Sequence, residues 1–218
     1  ILLEAACNQL AAWAGRPGLE NLTIAVNVSA HQFHQRDFVS QVLGVLARTG
    51  ARARRLKLEL TESLLVAHVE DVIEKMGVLK NQGVSFSLDD FGTGYSSLAY
   101  LKRFPLDLLK LDQSFVKRLP DDRNDAAIAR AICQLGSALE MDVLAEGVET
   151  PEQARFLGEI GCSWLQGFLY AKPMPASWLE RQKAEVAKRV PVVLDALHED
   201  VVVLARCPVG AVRGLVVG

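Results

Sequence analysis

Six short β-rich runs each deliver a polar or ionisable side chain at or near their C-terminal end: Asn27, Glu59, Asp89, Lys110, Glu146 and Gln166. Gathering Glu59, Asp89, Asp90 and Glu146 in one place is costly without a counter-charge, because like charges at close range push each other's pKa upward. Divalent cations remove that cost, and hard oxygen donors suit Mg²⁺ or Mn²⁺. Asp89 and Asp90 are adjacent, so a regular strand would point them to opposite faces. A strand end that turns into a loop lets both reach one ion, and Gly92 and Gly94 supply freedom for that turn.

The elements that must position these residues alternate. The β-rich runs are Leu22–Val28, Leu56–Leu60, Val84–Asp89, Asp107–Asp112, Asp142–Glu146 and Cys162–Tyr170. Between them, apolar residues spaced three and four apart predict helices over Phe38–Leu46, Val69–Leu79, Ala126–Leu139 and Pro151–Ile160. Gly50, Gly83 and Gly161 follow helical patterns, where a helix stop belongs. Strands alternating with helices of this length imply a mostly parallel α/β sheet. Polar strand ends recur about every 28 residues, near the ~31 per unit of an eight-stranded barrel of ~250 residues, whose active sites lie where the strands end. An open doubly wound sheet concentrates its polar groups near one switch point instead. The predicted fold is therefore a TIM-like (β/α) barrel, incomplete at the N-terminus, with about six of eight strand units present.

Leu2, Leu3, Ala6, Leu10 and Trp13 already run at helical spacing, so the chain is expected to start inside or against a helix. Two strand units are expected upstream of Ile1 unless the tail supplies substitutes. The domain division read from the sequence is a barrel over residues 1–180 and a tail over 181–218. Val192–Leu194, Val201–Leu204 and Leu215–Val217 in that tail are strand-like, with turn signals at Cys207-Pro208 and Gly210.

Composition limits the function classes. Half of the 218 residues are hydrophobic and the net charge is −2, which describes a globular chain with no global drive toward nucleic acid polymers or anionic membranes. No apolar run reaches the ~18–20 residues that span a bilayer. Cys7, Cys133, Cys162 and Cys207 form no C-x-x-C pair and read as core thiols of a cytoplasmic protein. Asp90-Phe91-Gly92 echoes protein kinases, but no glycine-rich loop, Val-Ala-Ile-Lys strand or His-Arg-Asp loop accompanies it. His31 and His34 match no common zinc spacing. The basic run from Arg48 to Lys57 precedes a strand, which in a barrel places it on the face opposite the site.

Asn27-Val28-Ser29, Glu59-Leu60-Thr61-Glu62, Asp89-Asp90-Phe91-Gly92-Thr93-Gly94, Lys110-Leu111-Asp112, Glu146-Gly147-Val148-Glu149 and Gln166-Gly167-Phe168 occur in that order. This series resembles the downstream motifs of EAL-domain cyclic di-GMP phosphodiesterases over roughly residues 1–180. The resemblance implies hydrolysis of the bacterial second messenger cyclic di-GMP to linear pGpG by two-metal activation of water, with two Mg²⁺ or Mn²⁺ ions. Asn27, Glu59 and Asp89 resemble ligands of one ion, and Asp89 would bridge to the second, with Asp90 and Glu146 held there directly or through water. Lys110 is similar to the family lysine that contacts the attacking water, with Asp112 nearby. Glu62 resembles the glutamate that anchors the loop after Asp90. Gln166 resembles a residue at the nucleotide end of the site, and Pro173 falls in the family's closing Lys-Pro-Met-Pro stretch.

The same resemblance implies a homodimer through Phe91–Leu101 and an upstream sensory or diguanylate-cyclase module. The family's Glu-x-Leu-x-Arg segment, which donates one metal ligand and a phosphate-directed arginine, has no copy between Ile1 and Gly218; Leu3-Glu4-Ala5-Ala6 is a superficial echo. The expectation is that this chain alone hydrolyses cyclic di-GMP poorly. The alternative is a non-catalytic EAL-like module that senses cyclic di-GMP or binds a protein.

Overall fold

The computed structural model describes residues 2–17, 19–65, 68–92, 101–170, 172, 193–197, 200–203 and 205–206. Six strands, β1 (Thr23–Val28), β2 (Leu56–Thr61), β3 (Ser85–Phe91), β4 (Leu108–Leu111), β5 (Asp142–Ala145) and β6 (Trp164–Leu165), lie side by side in sequence order. All five neighbouring pairs are parallel. The crossovers from β1 to β2, β2 to β3, β4 to β5 and β5 to β6 each carry at least one helix. The helices are α1 (Leu2–Trp13), α2 (Ala30–Phe33), α3 (Phe38–Thr49), α4 (Val69–Asn81), α5 (Gln113–Val116), α6 (Arg123–Ala138) and α7 (Pro151–Glu159). The result is a curled, incomplete (β/α) barrel wall, as the spacing of polar strand ends predicts.

The apolar spacing explains which face each element buries. On α3, Phe38, Val42, Val45 and Leu46 turn to the sheet, and Gly50 ends the helix at φ +70°. Gly83 and Gly161 stop α4 and α7 at φ +98° and +83°, conformations that cost other residues energy. On β2, Leu56, Leu58 and Leu60 are fully buried, each contributing roughly 1.5–3 kcal/mol through burial. The intervening Glu59 faces the inside of the wall, where Leu108, Leu144 and Trp164 form a second, smaller apolar cluster.

Two helices begin on strong caps. The Asp122 side chain accepts from the Asn124 and Asp125 amides at 2.9 and 3.1 Å, which starts α6 three residues before the periodicity does. Thr150 and Gln153 form a reciprocal capping box at the start of α7, with Pro151 at its first turn.

The last strand is shorter than the Cys162–Tyr170 run. β6 stops at Leu165, and a turn closed by the Tyr170 amide on the Gly167 carbonyl follows. Gly167 lies against the Val148 backbone so closely that a Cβ would sit 2.1 Å from its carbonyl oxygen. In the tail, β7 (Val193–Leu197) pairs parallel with β1, β8 (Asp200–Val203) antiparallel with β7, and β9 (Ala205–Arg206) antiparallel with β6. β8 ends at Val203 and β9 begins at Ala205, although the two stand at opposite ends of the strand order. Leu215–Val217, Cys207-Pro208 and Gly210 lie outside the described residues, as do Pro173 and most of Phe91–Leu101.

Candidate metal centre and active site

Lys110 is the centre of the inner face. It is in register with Leu144 on β5, which in turn is in register with Trp164 on β6, so the three share the inner face of the wall. Its Nζ donates to Glu59 Oε2 at 2.8 Å, Asp89 Oδ1 at 3.0 Å and Glu146 Oε1 at 2.9 Å. The lysine side chain is only 3% exposed. Three carboxylates around one ammonium leave a surplus of negative charge when all are ionised. Burial, more than the nearby Asp89 and Glu59 charges, pushes the Glu146 carboxyl up to about 7, against the pull of Lys110.

The paired aspartates reach the site by a bulge. Along β3 and β4 the register runs Leu88 to Leu109 and then Phe91 to Leu111, so β3 carries one extra residue at Asp89-Asp90. Asp90 takes a left-handed conformation, φ +53°, which shorter polar side chains tolerate best among non-glycines. The sequence reading placed this turning freedom in the glycines that follow. The backbone turns at Asp90 itself, inside the strand, and again at Gly92, where φ is +99°. Ligand oxygens of Asp89, Asp90 and Glu146 then lie within 4.8 Å of one another.

Asp90 reaches solvent, yet its carboxyl is raised above the usual range by desolvation first, then by the charges of Asp89 and Asp112. Asp112 caps α5, accepting from the Ser114 amide at 2.9 Å. Glu62, 7% exposed, accepts from the Gly92 amide at 3.4 Å, while its Oε2 is buried with no hydrogen-bond partner among the described residues.

Asn27 and Gln166 stand further out. Asn27 is in register with Glu59 across the β1–β2 pair, and it lines a cleft of about 310 Å³ with Val28, Gln32, Gln35 and Phe38. Neighbouring strands are ~4.8 Å apart, so Asn27 flanks the carboxylates from the next strand. Gln166 Oε1 is buried and likewise lacks a partner among the described residues. One residue was missed: Ser87 is fully buried and donates to Glu59 Oε1 at 3.0 Å. Its signal was present in the sequence, since Ser87 lies two positions before Asp89 and shares its strand face.

A parallel sheet thus brings carboxylates, an amide and a lysine to its strand ends, and three of the carboxylates form a group of oxygen donors that could hold a metal ion. The EAL domain model matches residues 1–173, and the chain belongs to that family. It is 45% identical over 163 residues to the cyclic di-GMP phosphodiesterase NbdA of Pseudomonas aeruginosa, covering 75% of this chain and 21% of NbdA. It is 44% identical over 178 residues to the bifunctional diguanylate cyclase/cyclic di-GMP phosphodiesterase MucR of the same organism, covering 82% of this chain and 26% of MucR. The solved MucR phosphodiesterase complex with c-di-GMP superposes with a TM-score of 0.76 over 81% of this chain and 71% of that one. The manganese/cy-diGMP complex of Klebsiella pneumoniae BlrP1 gives 0.67 at 29% identity, covering 78% of this chain and 44% of that one. The chain thus spans about a quarter or less of the curated relatives' length.

Proposed function

We propose that this domain hydrolyses cyclic di-GMP to linear pGpG at the cluster of Glu59, Asp89, Asp90, Lys110 and Glu146. The observation that carries this reading is the buried Lys110 ammonium held by three carboxylates, two of which converge with Asp90 at ligand distance. The donor set is all hard oxygen and its negative charge exceeds that of one lysine, which fits Mg²⁺ or Mn²⁺. Asp89, Asp90, Glu146, Glu59 and Asn27 are the residues that would hold two such ions. Bound there, the ions supply Lewis-acid activation of a water and neutralise charge on the phosphodiester.

The chain's own groups do the rest. Water adds to phosphorus and the ribose 3′ oxygen leaves, so the product is a linear dinucleotide with a 5′-phosphate. Lys110, within reach of three carboxylates, orients the attacking water and balances the charge that develops on phosphorus. Glu146, raised to about 7, holds or releases a proton near neutrality. Asp112, held at the start of α5 by the Ser114 amide, adds its charge beside Asp90 and favours the proton there. Glu62 ties the backbone at Gly92 to β2, which fixes the loop leaving the bulge. Gln166 offers a buried amide oxygen to the nucleotide.

The names of NbdA and MucR support this substrate, and MucR supports a cyclase module alongside such a domain. Pairing of two copies through Phe91–Leu101 belongs to the same reading. The test is chromatography of cyclic di-GMP incubated with Mn²⁺ and protein at comparable concentrations, so that slow turnover is seen. The reading expects pGpG, its loss in chelator, and its loss in Asp89→Asn. Cyclic di-GMP that is bound but returned intact would favour the non-catalytic sensor instead.

A further inference from the structure

Two histidines from distant parts of the sequence meet on the segments that leave β1 and β2. His34 ends α2, the short helix after β1, and His68 stands immediately before α4, in the crossover from β2. Their ring centroids are 5.6 Å apart, with the planes at 74°. His34 is half-buried and His68 is exposed, so ions in solution can reach the pair. Neither ring makes a hydrogen bond or ion pair among the described residues.

The backbone holds the two rings in place. Lys75, on α4, donates from Nζ to the Phe33 and Gln35 carbonyls on either side of His34, both at 3.1 Å. The same ammonium pairs with Asp71 at 2.9 Å, which offsets its charge. The helix that begins one residue after His68 is thereby tied to the turn that carries His34. Phe33, fully buried against the Phe38 ring at 4.8 Å, anchors that turn from below. His68 itself sits at φ +54°, a left-handed conformation that persists in a non-glycine where the surrounding structure imposes it. It occupies the N-cap position of α4, yet its side chain makes no capping bond. The ring meets His34 instead.

We propose that His34 and His68 form a second metal site, a pair of imidazole ligands for a borderline-soft divalent ion such as Zn²⁺, which fastens the turn after β1 to the start of α4.

Imidazole nitrogen suits Zn²⁺, Ni²⁺ and Cu²⁺, whereas carboxylate and carbonyl oxygen suit Mg²⁺ and Mn²⁺, so this site and the carboxylate cluster select different ions. A Zn–N bond is ~2.0–2.1 Å, so two imidazoles on one tetrahedral ion have ring centroids ~5.2 Å apart. His34 and His68 are within about half an ångström of that separation already. Rotation of the exposed His68 ring, a fast motion for such side chains, aims a nitrogen of each ring at one point. Water fills the remaining positions, which makes the ion exchangeable. Because the two segments leave the strands that carry Asn27 and Glu59, the ion would brace that end of the wall.

The experiment titrates Zn²⁺ into the wild-type chain labelled with ¹⁵N in histidine, with Mg²⁺ in excess, and follows the imidazole nitrogens by long-range ¹H–¹⁵N NMR. Of the four histidines, His34 and His68, assigned through His34→Ala and His68→Ala, are expected to shift together and to saturate at one ion per chain. In each variant the remaining ring is expected to need at least ~10-fold more Zn²⁺ for half of its shift, since losing one of two ligands costs no less than disturbing a ligand's support. The Asp89→Ala, Glu146→Ala double variant retains the paired shift, which separates this site from the carboxylate cluster. Zn²⁺ that leaves both rings unmoved, or moves one alone, would overturn the proposal. So would a paired shift lost in that double variant while its circular dichroism spectrum matches wild type.

Discussion

Replacing Lys110 with methionine removes the ammonium that Glu59, Asp89 and Glu146 share while keeping the length of the side chain. The lysine is 3% exposed and Glu59 2%, so water replaces little of what is lost. Breaking a buried ion pair by removing one partner costs about 3–5 kcal/mol, because the other charge is left behind. For a chain of this size, each kcal/mol moves the melting temperature by ~2–4 °C, so the fall expected in chelator at pH 7.5 is roughly 6–20 °C. Two further arms separate charge from packing. At pH 5 the carboxylates, whose pKa values rise once the ammonium is gone, take up protons and the gap between variant and wild type narrows. Adding Mn²⁺ at pH 7.5 also narrows it, since the ion supplies the missing positive charge. Circular dichroism melts of both proteins under the three conditions decide the matter. A variant that melts within ~2 °C of wild type in chelator, less than the shift of a single kcal/mol, would refute the claim that Lys110 neutralises this cluster. A large deficit unchanged by pH or Mn²⁺ would refute its electrostatic origin.

Glu146 keeps its proton to about pH 7 in the fold, whereas an unperturbed glutamate ionises near 4.5. Between those values the folded state holds more protons, so the metal-free chain loses stability as pH rises, by at most about 3 kcal/mol in total. Glu146→Gln flattens that slope, and a denaturant series from pH 4.5 to 7.5 reads it. Asp89→Asn and Glu59→Gln are expected to cut cyclic di-GMP turnover by at least ~10²-fold, of the order seen when a group stabilising the transition state is removed. Initial rates by chromatography check this. Gly167→Ala drives a methyl into the Val148 backbone, which is close packing of the kind that costs ~1–3 kcal/mol or more; a shifted denaturation midpoint measures it. Thr150→Ala removes half of the α7 capping box for about 1 kcal/mol, a melting shift of a few degrees.

The strand order, the parallel pairing and the direction of the site were legible because period-two runs and helical spacing alternate so regularly. Glu59 and Lys110 could be placed on the inner face for the same reason. The bulge at Asp89-Asp90 was not legible. Register is a property of two strands, and only the pairing of β3 against β4 shows the extra residue. The early end of β6 was hidden for a related reason. Phe168, Leu169 and Tyr170 have strand-forming side chains, but the approach of Gly167 to Val148 turns the backbone away. Ser87 was overlooked because a serine in an apolar strand reads as filler until the Glu59 oxygen it serves is in view.

Binding of Mn²⁺ by the metal-free chain, followed through the paramagnetic resonance signal of the free ion, tests the metal centre most directly. Saturable uptake of two ions per chain is expected, with at least a ~10-fold loss of affinity in the Asp89→Ala, Glu146→Ala double variant, the penalty typical of a disturbed metal shell. Absence of saturable uptake, or affinity unchanged in a folded double variant, would contradict a cation site at Asp89, Asp90 and Glu146.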